Sequence, residues 1–145
     1  MKKYVVGFAF DKPEKRVALM LKARPDWQRG LLNGIGGHVE PGESAIEAMM
    51  REWKEETGDP SPTWAVFAVL FGNDFQVSFF RTNLKEMHHM ISCSKDEVIK
   101  IVGVSPLPKN IIPNLRWLIP MAHKSCSHDW PFIIHERCSN ESHCL

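Results

Sequence analysis

Three glutamates lie close together in one short segment of the chain, at Glu52, Glu55 and Glu56. In a helix of 3.6 residues per turn, their side chains fall within an arc of roughly 100°. Like charges at this spacing repel each other, so helix stability alone explains the cluster poorly. Mg²⁺ and Mn²⁺ prefer oxygen ligands, and Mg²⁺ usually binds through a few carboxylates, water and substrate phosphates. The pattern favours a metal site, and the alternative is a solvated helix face near Lys54.

Signals at both ends define the helix that should carry these glutamates. Ser44, followed three residues later by Glu47, is a capping box, and residues 45–57 contain no glycine or proline. Gly58 supplies a C-terminal cap, and Pro60 prevents continuation of the helix. One face of the helix should pack on a sheet, because its residues recur at helical spacing. The residues of this face are Ile46, Met49, Met50, Trp53 and Thr57.

A glycine-rich loop precedes the helix and adds polar residues at fixed spacing. Gly37 is followed, after five residues, by Glu43, and after seven more by Arg51. Together with the three glutamates and Gly58, these residues resemble the signature of the Nudix hydrolase family. That signature reads Gly, five residues, Glu, seven residues, Arg-Glu, an apolar residue, any residue, Glu-Glu, any residue and Gly. The family pattern ends on one more apolar position, where this chain has Asp59, a departure that concerns packing at the helix end. Residues 37–58 are called the Nudix box below.

The resemblance implies roles for the residues of the box. The metal ligands would be Glu52, Glu55 and Glu56. The carbonyl of Gly37 would also contact the metal, which would be Mg²⁺ or alternatively Mn²⁺. Glu43 and Arg51 would belong to the catalytic site mainly as structural residues, with Arg51 pairing with a carboxylate to hold the loop against the helix. In such enzymes a metal-polarised water attacks phosphorus.

The general base is left open by the sequence. Glu55 or Glu56 could take this role, as could a carboxylate outside the box. Asp96 and Glu97 are candidates, since they stand in a polar stretch before a predicted strand. The alternative for both is an acid exposed on a loop.

The remaining pattern predicts a mixed sheet with helices on its faces. Strands are predicted at residues 3–10, 16–22, 35–40, 64–71, 75–82 and 99–104, the first two forming a hairpin. Residues 24–34 are predicted as loop and residues 114–124 as a second helix. The predicted fold class is therefore α/β (α+β), with helices and strands mixed along the chain but not strictly alternating. The resemblance implies an α/β/α sandwich. We expect a Nudix domain at residues 1–125 and a loosely held tail at 126–145.

Most candidates for substrate binding lie before the box. Residues 32–37 resemble the corresponding segment of Nudix enzymes that hydrolyse purine nucleoside triphosphates, including oxidised ones. Asn33 would then pair with a base edge, or would simply take a turn conformation before Gly34. Lys22 and Arg24 are candidates for phosphate contacts, or are solvated strand ends. Aromatic side chains could stack on a base, although most large aromatics belong to the core. The candidates are Trp27, Trp64, Phe79 and Trp117.

These observations predict metal-dependent hydrolysis of a nucleoside triphosphate to the monophosphate and pyrophosphate. Beyond the box, the tyrosine typical of dinucleoside polyphosphate hydrolases and the proline typical of ADP-ribose hydrolases are missing, which favours a triphosphate. The alternatives are hydrolysis of a nucleotide sugar or ADP-ribose, and a non-catalytic Nudix module that senses a nucleotide. The intact carboxylates of the box argue against the sensing module.

Bulk properties limit the partners. The chain of 145 residues has a formal charge of +1, so no global basic field indicates nucleic acid or an anionic membrane. No run approaches the roughly 18 apolar residues of a membrane span, and the apolar run at residues 4–10 is short for a secretory signal. Four scattered cysteines suit reduced thiols. We expect a cytoplasmic monomer or homodimer.

One further group of residues has types that suit zinc. It consists of Cys126, His128, His135 and Cys138. The spacing is irregular for a known zinc module, so a tail with incidental thiols is the simpler interpretation.

Overall fold

The computed structural model describes residues 1–87, 96–123 and 129–137. This part of the chain forms an eight-stranded sheet and two α-helices. The strands are β1 (Lys2–Phe10), β2 (Arg16–Leu21), β3 (Leu32–Asn33), β4 (Ile35–His38), β5 (Ala65–Phe71), β6 (Phe75–Asn83), β7 (Val98–Gly103) and β8 (Phe132–His135). The helices are α1 (Ala45–Thr57) and α2 (Leu115–Ala122).

The sheet is mixed, as predicted. Its main path is β3-β2-β1-β6-β5-β8, with β4 paired to β1 and β7 paired to β2. The β1–β6 and β5–β8 pairs are parallel, and the other pairs are antiparallel. The predicted hairpin of β1 and β2 is present, with Ala9 opposite Ala18. The other half of β1 pairs with β4, so that Gly37 lies opposite Val5. This pairing brings the loop of the Nudix box to the centre of the sheet.

The two faces of the sheet bury two separate cores, because successive side chains of a strand point to opposite faces. On one face, Phe8 and Leu19 pack with Leu115 and Leu118 of α2. The other face packs with α1, and its members include Val5, Ala9, Ala18, Met20, Met49 and Trp53. The layers therefore run helix, sheet, helix, which confirms the predicted sandwich.

Helix α1 has the predicted limits but a different buried face. Met49, Trp53 and Thr57 are buried as expected, whereas Ile46 and Met50 are 38% and 46% exposed. The prediction for these two residues was wrong because the buried arc is rotated toward the glutamates. The fully buried Ala48 marks that edge of the arc. Its small side chain allows the helix to approach the sheet closely, and the same rotation brings two of the glutamates into partly buried positions.

Three short elements were not predicted. Residues expected to form the loop 24–34 include β3 and a turn of 3₁₀ helix at Asp26–Gln28. Strand β8 lies within the expected tail and pairs in parallel with β5, with Ala68 opposite Phe132. Such short elements are difficult to predict from residue propensity, because two to four residues are too few to show a helical or strand periodicity of apolar positions. Residues of β8 thus belong to the sheet, and the division of the chain at residue 126 stays a prediction.

Candidate metal and substrate site

The loop before α1 is fixed by a tight turn and by the capping box. Gly42 has a φ of 81°, a value that glycine adopts without strain, and the Glu43 N–H donates to the Glu40 carbonyl at 3.1 Å. The predicted capping box is present. Ser44 Oγ accepts from the Glu47 N–H at 3.3 Å, and the Ser44 N–H donates to Glu47 Oε2 at 2.7 Å. The turn and the cap set the position of Glu43 relative to the helix.

Arg51 ties this loop to α1 through a branched set of hydrogen bonds. Its guanidinium donates to both carboxylate oxygens of Glu43, at 2.7 and 3.0 Å, which is the bidentate geometry that arginine favours. It also donates to the His38 carbonyl at 2.9 Å, to Glu52 at 2.9 Å and to Glu55 at 3.2 Å. The hydrogen bonds from Arg51 hold the pKa of Glu43 below its usual range. The predicted pairing of Arg51 with a carboxylate is therefore present.

Glu52 lies against the glycine strand β4. A Cβ placed on Gly37 would collide with the Glu52 carboxylate, so the absence of a side chain at residue 37 makes room for that group. Burial raises the pKa of Glu52, and this effect outweighs the opposing influence of Arg51. The structure thus brings Gly37 and Glu52 together, as predicted for two members of one metal site.

Glu56 and Glu55 occupy different environments one residue apart. The Oε2 atom of Glu56 is buried and has no hydrogen-bond partner among the described residues. Burial, followed by the negative charge of Glu97, raises the pKa of Glu56. Glu55 is 56% exposed and bonded to Arg51. A buried carboxylate oxygen without a partner is costly unless something cationic reaches it, so Glu56 is the strongest candidate ligand of the three.

The two candidate bases outside the box separate clearly. Glu97 is buried, and its Oε2 accepts from the Lys22 ammonium at 2.9 Å. Its negative charge contributes to the raised pKa of Glu56, so its electrostatic influence reaches the box. Asp96 is exposed and forms a long pair with Arg24 at 3.4 Å. Of the two acids, the structure brings Glu97 to the site and leaves Asp96 at the surface.

A cavity of about 490 Å³ opens on the α2 side of the sheet. All three predicted substrate residues line it, namely Lys22, Arg24 and Asn33. Gly37 also lines it, and connects the cavity to Glu52. Of the predicted stacking aromatics, Trp27 and Phe79 line the cavity. Trp64 packs on Trp53 in the α1 core, and Trp117 is an exposed residue of α2 that does not line the cavity.

The sequence analysis missed several residues of the cavity wall. These are Tyr4, Gln28, His38 and Asn114. Tyr4 and His38 face each other across β1 and β4, with ring centroids 4.5 Å apart. The Oδ1 atom of Asn114 is buried and has no partner among the described residues. Only strand register and the approach of α2 reveal these positions, since no local pattern marks them in the sequence.

Asn33 combines features of both interpretations offered for it. Its Oδ1 accepts the Gly34 N–H at 2.8 Å, which is the local bond of a turn residue. Its Nδ2 donates one hydrogen to Gln28 Oε1 at 3.3 Å. A side-chain amide has two N–H donors, so within the described part of the chain one donor of Asn33 remains for a group in the cavity.

The donors at this site fit a hard divalent cation. Glu52 and Glu56 supply carboxylate oxygens from one face of α1, and the buried Glu56 Oε2 has no hydrogen-bond partner among the described residues. Across residues 1–87, 96–123 and 129–137, no three acidic, histidine or cysteine side chains are arranged to hold a metal ion by themselves. An open arrangement of this kind suits Mg²⁺, which keeps water and substrate oxygens in its coordination shell.

The zinc hypothesis falls mostly outside the described residues, which do not include Cys126, His128 and Cys138. His135 is described, and its ring stacks on Phe71 with centroids 5.6 Å apart.

Comparisons with known proteins agree with the fold. The family model for the NUDIX domain matches residues 1–123. The chain therefore belongs to the Nudix family and is a hydrolase of acid anhydrides. Members of this family generally use a divalent metal. No curated protein matches the chain significantly.

Solved structures show the same fold at low sequence identity. A NUDIX hydrolase from Nitrosomonas europaea aligns with a TM-score of 0.71 and 19% identity, over 93% of this chain and 79% of that one. The MutT protein from Bacillus halodurans aligns with 0.67 and 20%, over 94% and 91%. The NUDIX domain of Shewanella oneidensis NrtR, complexed with ADP ribose, aligns with 0.69 and 15%, over 86% and 88%.

In the described part of the chain, neither helix has the length and apolar character that crossing a membrane requires.

Proposed function

We propose that this chain hydrolyses a nucleoside triphosphate to the monophosphate and pyrophosphate with Mg²⁺, for which Mn²⁺ could substitute. One observation carries the proposal. The cavity that Lys22, Arg24 and Asn33 line reaches Gly37, and the Glu52 carboxylate of the Nudix box lies against that same glycine. A cavity with cationic and amide groups at its wall suits a ligand that combines phosphates with a base.

The carboxylates divide into holding and positioning groups. Glu52 and Glu56 would hold the metal with the Gly37 carbonyl, and the exposed Glu55 would complete the site from the solvent side. When bound, the metal lowers the pKa of a water molecule and neutralises charge on the phosphates. Arg51 and Glu43 act through geometry, because their bidentate pair fixes the loop that carries Gly37. Positioning of this kind accounts for most of the catalysis in phosphoryl transfer.

Glu97 is the general base that we favour. It is buried beside Glu56, whereas Glu55 is exposed and bonded to Arg51. A general base must lie within hydrogen-bond reach of the proton that it removes, directly or through one water molecule. Replacement of Glu97 by glutamine should reduce kcat far more than it changes KM, because the base acts only in the chemical step. An unchanged kcat would exclude Glu97 from this role.

The base end of the substrate would face the amides of Asn33 and Asn114. One N–H of Asn33 and the Oδ1 of Asn114 remain for the ligand within the described structure. Such a donor and acceptor can pair with the edge of a purine, and Trp27 or Phe79 can offer an apolar surface to its ring. These groups support a nucleotide with an intact base.

A second candidate is hydrolysis of ADP-ribose or a nucleotide sugar. A similar fold, the Nudix domain of NrtR, is known in complex with ADP ribose. Both substrates contain the same diphosphate, so the carboxylates would act identically, and the difference lies in what leaves.

The experiment is a product analysis with purified full-length protein and Mg²⁺. Purine nucleoside triphosphates, their oxidised forms, ADP-ribose and nucleotide sugars are supplied separately, and phosphate is measured after addition of pyrophosphatase or of phosphatase. Signal that needs pyrophosphatase and a triphosphate is the expected result. Signal that needs phosphatase with ADP-ribose or a sugar nucleotide would replace the triphosphate by the second candidate. Binding of nucleotide without any product would contradict both and indicate a sensing module.

A further inference from the structure

Lys22 lies between the cavity and the carboxylates, at the end of β2. Its backbone is held on both sides, since its N–H donates to the Leu31 carbonyl at 2.8 Å and its carbonyl accepts from Gly30 at 2.9 Å. Lys22 is one of the residues that line the cavity. Movement at this position is therefore restricted to the side chain, whose four-carbon stem can swing while the backbone stays in place.

The ammonium of Lys22 forms an ion pair with the Glu97 carboxylate in this structure. Nζ and Oε2 are 2.9 Å apart, and the side chains are only 19% and 10% exposed. The pair is thus largely shielded from water, unlike the Arg24–Asp96 pair, which is longer and mostly exposed. An ion pair in such surroundings is screened little by salt, and the loss of one partner destabilises the fold.

Lys22 also acts on the neighbouring box glutamate. Burial and the charges of Glu97 and Glu52 raise the pKa of Glu56, whereas the Lys22 charge opposes this rise. The other cation at this edge, Arg51, is directed to Glu43, Glu52 and Glu55. Lys22 is therefore placed where a divalent cation would relieve the same carboxylates.

We infer that Lys22 is a stand-in for the divalent ion, holding Glu97 while the metal is absent and releasing it when the metal binds. The released ammonium then lies at the cavity wall, where substrate phosphates would enter. This inference rests on the proposed function, because it needs a metal site at Glu52 and Glu56. It changes the role expected for Lys22 from a solvated strand end or a fixed phosphate contact to a group that competes with the metal.

The test measures Mg²⁺ binding without substrate, by isothermal titration calorimetry and by thermal unfolding. Lys22→Met should bind Mg²⁺ about tenfold more tightly than the wild type, since a positive charge that acts on Glu97 and Glu56 is removed. Without metal its Tm should be about 5–10 °C lower, because the largely buried ion pair between Lys22 and Glu97 is lost. Saturating Mg²⁺ should raise the Tm of the variant more than that of the wild type.

Two further variants separate charge from general damage. Lys22→Arg keeps the charge and should retain the wild-type affinity for Mg²⁺. Lys100→Met removes an exposed lysine of β7 and should change neither quantity. If Lys22→Met does not fold, Lys22→Gln, which keeps a hydrogen-bond donor, takes its place in the same titration.

The outcomes distinguish the inference from the proposed function. Equal or weaker Mg²⁺ affinity in Lys22→Met, with normal binding by the wild type, would overturn the stand-in role and leave the metal site intact. No Mg²⁺ binding by the wild type would overturn both. Tighter Mg²⁺ binding by Lys22→Met, together with wild-type affinity in Lys22→Arg, would support the inference.

Discussion

Replacement of Arg51 by methionine should destabilise the protein strongly, because this one side chain closes the loop onto α1. The substitution removes five hydrogen bonds, to Glu43, Glu52, Glu55 and the His38 carbonyl. Hydrogen bonds to charged groups contribute about 1.5–3 kcal/mol each, but these share one partly exposed donor and do not add. We expect a loss of about 3 kcal/mol in the free energy of unfolding, the lower end of the range for breaking a buried ion pair.

The assay is urea unfolding followed by circular dichroism, with Arg29→Met as the matched control. Arg29 pairs with Asp26 at the surface, so its loss should cost less than about 0.5 kcal/mol. Arg51→Lys keeps the charge without the planar guanidinium, so its free energy of unfolding should fall between those of Arg51→Met and the wild type.

The lowered pKa of Glu43 means that the stability contributed by this carboxylate is present above the ordinary value of 4.5 and is lost as the pH falls through the folded-state pKa. The difference between wild type and Arg51→Met should therefore shrink in acid. A midpoint for Arg51→Met equal to that of the control at neutral pH would refute this account of the loop.

Three other predictions concern the same helix and strand. The raised pKa of Glu56 destabilises the metal-free protein once the pH exceeds that pKa, so Glu56→Gln should raise the Tm measured in chelator at neutral pH, and the gain should vanish below about pH 4.5. A Tm below that of the wild type in chelator at neutral pH would contradict this sign. Gly37→Ala should displace the Glu52 carboxylate and weaken Mg²⁺ binding at least tenfold by calorimetry. The control is Gly103→Ala, which should leave the affinity unchanged because the nearest atoms to its Cβ are 4.0 Å away. Equal affinities in the two variants would exclude a role for the close approach of Gly37 and Glu52. Ser44→Ala should cost about 1 kcal/mol of unfolding free energy through loss of the cap, and an unchanged urea midpoint would argue against it.

Much of the fold could be predicted because its elements carry strong local signals. The limits of α1 follow from Ser44 and Gly58, whose capping roles are set by backbone geometry and do not depend on the rest of the chain. The long strands follow from apolar runs. The exposed Ile46 and Met50 were predicted wrongly, because a helical period gives the width of an apolar face but not its rotation. The rotation is set by packing against β4, where Ala48 and Gly37 permit a close approach.

The residues of the candidate site likewise differ in whether the sequence could predict them. The residues of the box follow from spacing along one helix and one loop. Glu97 could be named only as one of two acids, because its burial depends on the strand that follows it and on Lys22, 75 residues away. Tyr4, His38 and Asn114 were missed because β1, β4 and the start of α2 bring them together only in the folded sheet. Long-range register of this kind leaves no local trace in one sequence.

The most direct test of the central claim is the Mg²⁺-dependent turnover of Glu56→Gln beside that of Asp59→Asn. Asp59 is exposed just beyond the same helix, so its replacement controls for loss of one negative charge. Both variants should keep the wild-type circular dichroism spectrum. Glu56→Gln should release pyrophosphate about a hundredfold more slowly or worse, while Asp59→Asn stays near the wild-type rate. Full Mg²⁺-dependent activity in Glu56→Gln would contradict the placement of the metal on the carboxylates of α1.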